Sequence, residues 1–351
     1  MPYRLPLELE FTILELAAPP LAFDGLHDRV DFFINASLVH RSLTPWAQER
    51  LHDQFLYTYQ PRPDEHERLK KRLEAGFGRD LPLHRLYLDL RCLPSDISSE
   101  YGTDSASATI QGRVYEAVSL TDEAGHGGEG GTSAYSQTIH VIWLKLPMMN
   151  LNVTNLPRPR VLYVDDVTHR FLWRLLPLSS ETVLSLRSMR LGAQAGKNYL
   201  EIHHLILDNC WVLVGSIGDH INRLRHLETL VMFETEDHDL VSTIAALSPS
   251  IRRVHVLQHG IDINDKQCSL PKVLPRLRFF AFTLLPPPEE YSASQTPTDH
   301  ELDPLFAVRQ QVEAFIVAPL CTFKYIRSTK SPEDALADAR ADAMADLGLD
   351  L

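Results

Sequence analysis

A short apolar motif that returns at nearly even intervals constrains this chain more than any bulk property. Its clearest copy is IHHLILDNC, from Ile202 to Cys210, with apolar residues at Ile202, Leu205 and Leu207 and a cysteine at Cys210. Leu205 and Leu207 alternate with Ile206 and Asp208, which is the period of a strand. The same x-x-apolar-x-apolar spacing occurs in Leu227-Leu230-Met232, Ile251-Val254-Val256 and Leu277-Phe280-Phe282. The reference positions 205, 230, 254 and 280 are therefore 25, 24 and 26 residues apart. Upstream, Leu184-Leu186-Met189-Leu191 and Leu162-Val164-Val167 extend the series by steps of 21 and 22. Val141-Leu144-Leu146 lies a step of 18 before Leu162. Leu83-Leu86-Leu88 and Leu320-Phe323-Tyr325 are outlying copies, which makes nine candidates, six of them in an unbroken series.

A period of roughly 20–29 residues is that of leucine-rich repeats, which carry Asn or Cys where Cys210 stands. Helical returns are expected between the strands: Thr168 to Leu176, Val212 to Leu227, Asp239 to Leu247 and Pro304 to Val317. A strand followed by a helical return suits parallel neighbours, which need a crossover connection. No such coil is stable alone, but a stack of them is. The expected fold class is thus α/β, an irregular leucine-rich-repeat solenoid with a curved parallel sheet over residues 81–330. An ordinary α/β domain with evenly spaced strands is the other fold this spacing allows. In the solenoid, the residues beside the core positions point outward on the concave face: Ile206 and Asp208, Val231 and Phe233, His255 and Leu257, Ala281 and Thr283. Asp208, Phe233, His255 and Thr283 are the candidate contacts to a protein target; a strip covered by the insertions is the alternative. His204 is expected at the surface, where truncation to Ala costs under about 1 kcal/mol.

Charge and cysteine usage narrow the function classes. The formal net charge of −12 argues against a nucleic-acid or anionic-membrane partner. Cys92, Cys210, Cys268 and Cys321 are far apart and form no CxxC, neither a disulfide framework nor a zinc pattern. The opening residues MPYRLPLELEF lack the apolar core of a signal peptide, and no apolar run approaches 18 residues. A cytoplasmic or nuclear location is the expectation.

The first fifty residues read as three short helices. Leu9, Ile13 and Leu16 have helical spacing after Leu5-Pro6-Leu7-Glu8-Leu9, and Pro19-Pro20 stops them. Val30, Phe33, Ile34 and Leu38 mark a second helix. Thr44-Pro45 reads as cap and first turn of a third, with Trp46 and Leu51. Three such helices bury little by themselves and need a neighbour or a partner. Residues 1–57 resemble an F-box as fungal F-box-like proteins write it. LPLEL at 5–9 with Ile13-Leu14, and SLVHRSLTPWAQERL at 37–51, carry the resemblance, although Leu43 stands where the family usually has Trp. An F-box binds the Skp-type adaptor of a cullin-based SCF ubiquitin ligase. The resemblance implies that Leu5, Pro6, Leu9, Ile13, Leu38, Val39, Arg41, Pro45 and Trp46 make that contact, with the repeats holding a protein target. A plain helical cap on the repeats is the alternative, in a scaffold with no ubiquitin role.

The remaining segments carry no chemistry. Residues 58–80 read as a solvated connector helix, with Asp64 and Glu67 as a capping box. Residues 95–138 and 286–300 are Ser-, Gly- and Pro-rich insertions too polar to offset chain entropy. Gly125, Gly127 and Gly130 fit G-x-G-x-x-G, but no helix follows to hold a pyrophosphate. His255 and His259 are four residues apart, over ten Å along a strand, too far for one metal. His203-His204 and Asp165-Asp166 point to opposite faces. No catalytic residue, metal or cofactor is expected. The tail 331–351 begins with Ser331 as cap and Pro332 in the first turn. Asp334, Asp338, Asp342, Asp346 and Asp350 make one acidic stripe, so a solvated tail with at most a marginal helix is expected, with a partner-binding segment as the alternative.

Overall fold

A computed structural model describes residues 5–19, 26–52, 54–58, 85–89, 141–145, 159–165, 178–191, 200–212, 216–233, 240–259, 271–286 and 304–349. The connector at 58–80 beyond Thr58, the insertion at 95–138, residues 287–300 and the expected helix at 168–176 lie outside them. The chain is an α/β protein of two compact units. One comprises Met1–Lys145 with Asn155–Pro159, the other Leu146–Thr154 with Arg160–Leu351.

In the first unit, α1 (Leu7–Ala17), α2 (Leu26–Val39) and α3 (Thr44–His52) follow one another. Pro6 precedes the first turn, and its carbonyl accepts from the N–H groups of Leu9 and Glu10. Thr44 does not cap α3: its hydroxyl donates to the Ser37 carbonyl at 2.8 Å and ties α3 to α2. The small core holds Phe33, Ala36 and Ala47, with Phe32, Trp46 and Leu51 against it. Trp46 stacks on Phe11 with centroids 5.3 Å apart, and Phe33 meets it edge-on at the same 5.3 Å. Glu15 joins all three helices through Arg29 at 2.7 Å and Arg50 at 3.0 Å. A parallel sheet follows, in the order β1 (Gln54–Thr58), β2 (Arg85–Asp89), β3 (Val141–Lys145). β1 begins inside the segment 1–57 that is expected to be helical. The motif Val141-Leu144-Leu146 places the third strand two residues later than its observed pairing, in which Leu86 meets Ile142 and Leu88 meets Leu144. A shift of two keeps every side chain on its face, so the alternation alone did not fix the register.

The second unit is built on a parallel sheet in sequence order: β4 (Val161–Asp165), β5 (Val183–Arg187), β7 (His204–Asp208), β9 (Thr229–Phe233), β10 (Arg253–Gln258), β12 (Phe279–Leu284) and β14 (Thr322–Arg327). The reference residues lie side by side in one row: Leu162, Leu184, Leu205, Leu230, Val254, Phe280 and Phe323. A second row runs through Val164, Leu186, Leu207, Met232, Val256, Phe282 and Tyr325. From Leu162 to Phe282 both rows are buried, and each such side chain contributes roughly 1.5–3 kcal/mol. Ile202, Leu227, Ile251 and Leu277, three residues before the reference position, are buried too. The corresponding Leu320, before the terminal strand β14, is exposed.

The turns repeat as well. Ser188 and Asn209, each directly after its strand, share a left-handed φ of 51° and 49°. Their amides donate to the carbonyls of Asp208 and Phe233 on the next strands, at 2.8 and 2.9 Å. Met189 and Cys210 then turn inward, and β6 (Arg190–Leu191) pairs with β8 (Trp211–Val212). Before the strands, the amides of Glu228, Arg252, Arg278 and Thr322 donate in series to the carbonyls of His203, Glu228, Arg252 and Arg278. The helices of this unit are α4 (Ile217–Ile221), α5 (Leu240–Ala246), α6 (Pro304–Phe315) and α7 (Pro332–Ala345), with a short pair formed by β11 (Lys272–Val273) and β13 (Ile316–Val317). Among the described residues of the return expected over 212–227, 217–221 are helical, capped by Ser216 and Asp219 in a reciprocal box. The solvated tail is corrected: α7 is a 14-residue helix capped by Ser331, with Ala335, Leu336, Ala339, Ala343 and Met344 buried.

Candidate functional site

Two surfaces stand out, one on each unit. On the first, α1 buries none of its residues. Leu9 is 50%, Ile13 52%, Leu16 83%, Leu38 78% and Val39 76% exposed, although the helices have a core in which to bury such groups. The aromatic residues already fill that core, so the aliphatic residues of α1 and the end of α2 are left outside. Of the residues that the F-box resemblance singles out, Leu5, Pro6, Leu9, Ile13, Leu38, Val39, Arg41 and Pro45 are exposed, while Trp46 packs inward against Phe11 and Phe33. Leu7, Leu16 and Ile34 are exposed apolar residues beyond that set. Their helical spacing with Leu9 and Leu38 was the available signal.

On the second unit, the strip beside the core rows, which the sequence leaves open as either a partner site or a face covered by the insertions, is buried. Ile206, Asp208, Val231, Phe233, His255, Leu257, Ala281 and Thr283 are all buried. α7 packs on β9 and β10. Arg340 of α7 donates to the Asp208 carboxylate at 2.8 Å, and Arg253 of β10 pairs with Asp346, the residue that ends α7. Both partners project from the non-core face of the sheet, so α7 lies on that face. The sequence signal was the run Ala335, Ala339, Ala343 at four-residue spacing beside Leu336 and Met344. The acidic stripe is the helix's outer side: Asp334, Asp338 and Asp342 are exposed.

Electrostatics on this face follow from burial. Loss of water raises the Asp208 carboxyl above its usual range, against the pull of Arg340 and of Arg187 at 3.6 Å. His255 is lowered to about 4 by burial, then by Arg253 and Lys324, and one ring nitrogen meets the Thr283 hydroxyl at 2.9 Å. His204, expected outside, is buried against the Thr229 hydroxyl at 3.1 Å and lowered to about 4, Glu228 opposing. Cys210 is pushed up to about 12 by burial, and its thiol donates to the carbonyls of Leu186 and Asp208, both at 3.4 Å. That is a protonated structural donor closing the turn, not a nucleophile.

Among the described residues, no group of three or more His, Cys, Asp or Glu could hold a metal ion, and no helix is long and apolar enough to cross a membrane. No protein-family model matches the sequence, and no curated protein matches it at a significant level.

Proposed function

We propose that this chain is an F-box-like substrate-recognition adaptor of an SCF-type ubiquitin ligase. Its N-terminal helices bind a Skp-type adaptor, and through it a cullin. Its leucine-rich-repeat solenoid holds a protein target. The protein positions the target and performs no chemistry. One observation carries the reading: aliphatic residues at the positions of the F-box resemblance are exposed together on α1 and the end of α2. An apolar strip of that kind is what a docking partner covers. The row of Leu162 to Phe280, the recurring left-handed turn and the inward Cys210 support the solenoid.

The test is capture of a Skp-type adaptor by the intact protein. Wild type retains the adaptor, and Leu9→Asp with Ile13→Asp weakens capture at least tenfold. Both residues are half-exposed, so the melting temperature of the double variant stays near that of wild type. No capture above background with the adaptor in micromolar excess removes the ligase role and leaves the repeat scaffold.

A further inference from the structure

The seat of α7 differs from the rest of the core. Three of its five buried residues are alanines, so little apolar area holds it. Beneath it, Nε and Nη1 of Arg253 and Nδ1 of His255 are buried with no hydrogen-bond partner among the described residues, and Nε of Arg340 is likewise buried and unpartnered. Polar groups left dry in this way weaken the docked state relative to one that water reaches. The backbone hydrogen bonds described for α7 are all local, so its release breaks no strand pairing. What it would uncover is chemically specific. Asp208 closes β7 and Arg253 opens β10, with the apolar Val231 and Phe233 on β9 between these strands. A carboxylate and a guanidinium set obliquely across an apolar strip match a helix of one polarity, with its cation first and its anion later.

We propose that this sheet face is a docking surface for an amphipathic helix of a partner protein, and that α7 is its tethered intramolecular occupant. The partner helix carries small residues at i, i+4 and i+8, as Ala335, Ala339 and Ala343 do. It places an arginine directly after the second of them to meet Asp208, and a carboxylate six residues later to meet Arg253. The inference deepens the target-binding half of the function proposed above and rests on that half alone, independent of the N-terminal helices.

A full-length Ala339→Glu, Ala343→Glu variant forces two carboxylates into the seat and releases α7. The probe is a fluorescent synthetic peptide of residues 331–351, followed by anisotropy. The variant is expected to keep a cooperative melt and to bind the peptide at least tenfold more tightly than wild type, in which α7 competes. A peptide with Arg340→Glu is expected to bind at least tenfold more weakly. In the wild-type chain, amides of 335–345 should exchange at least a hundredfold faster than those of β7 and β9. A folded variant that does not bind, a variant without a cooperative melt, or α7 amides that exchange together with the strands would each overturn the proposal. Adaptor capture by the same proteins reports on the ligase role separately. It is unchanged by the variant where that role holds, and absent from wild type and variant alike where it fails.

Discussion

Leu205 and His204 are consecutive on β7, project to opposite faces and are both buried. Leu205→Ala removes a side chain that packs between Leu184 and Leu230, and should cost about 2–5 kcal/mol. His204→Ala removes the partner of a buried Thr229 hydroxyl, and should cost about 1–3 kcal/mol rather than the under 1 expected of a surface site. Urea unfolding of both variants measures this. Equal small losses would contradict the packing of β7. Cys210 and Cys321 make a second contrast. Cys210 is wholly enclosed, whereas Cys321 is partly exposed and its thiol rises to about 11. Brief alkylation of the native chain, read by peptide mapping, should leave Cys210 unmodified, and any labelling should favour Cys321 of the two.

At the scale of elements, Glu15 is the tie among the N-terminal helices. Its carboxylate serves Arg50 and the buried Arg29, whose other bond goes to the Pro19 carbonyl at 2.7 Å. Glu15→Ala leaves a buried guanidinium short of a partner, at about 1–3 kcal/mol. Since 1.4 kcal/mol is a factor of ten, amides of 7–17 should exchange roughly ten- to a hundredfold faster. The strands were legible from Leu205 and its counterparts because burying one face of a parallel sheet demands an apolar residue at the same place on every strand, and that demand is written locally. The cover on the sheet was not. Ile206, Val231 and Leu257 point away from the core rows, and only a partner distant in sequence decides whether they are wet. Over β9 and β10 that partner is a helix whose aspartates Asp334, Asp338 and Asp342 form one exposed stripe, while five small or apolar residues do the packing. The shift at Ile142 has a related cause: Ile142, Leu144 and Leu146 offer two equally apolar registers, and only pairing with Leu86 chooses between them. At the N-terminus, the helices could be read from spacing. The inward turn of Trp46 depends on Phe11 and Phe33 and not on its own neighbours.

Across the whole molecule, the buried histidines couple stability to acid. In the folded chain His204, His220 and His255 are lowered from 6.5 to about 4, with burial the leading cause for each. A pH unit or more above 6.5 they are almost wholly neutral in both folded and unfolded chains and contribute little to the pH dependence. Between 6.5 and about 4 the unfolded chain takes up protons that the folded chain refuses. Stability then falls as pH falls, by up to about 1.4 kcal/mol per pH unit for each histidine, and the loss levels off below about 4. Asp208 opposes the trend, because its folded carboxyl is raised and its cost as a buried anion is relieved on protonation. Among the described residues, three lowered histidines against one raised carboxylate set the sign in this window. Urea midpoints measured from pH 7.5 to 4.5 should be flat at first and then decline. His220 is the sharpest test, since it sits in α4, away from the Asp208 cluster, and only burial and Arg223 lower it. His220→Gln costs stability at every pH but removes one proton from the balance. Its decline below pH 6.5 should be shallower than wild type by up to about 1.4 kcal/mol per pH unit. Parallel declines in the two proteins would mean that His220 is solvated in the fold.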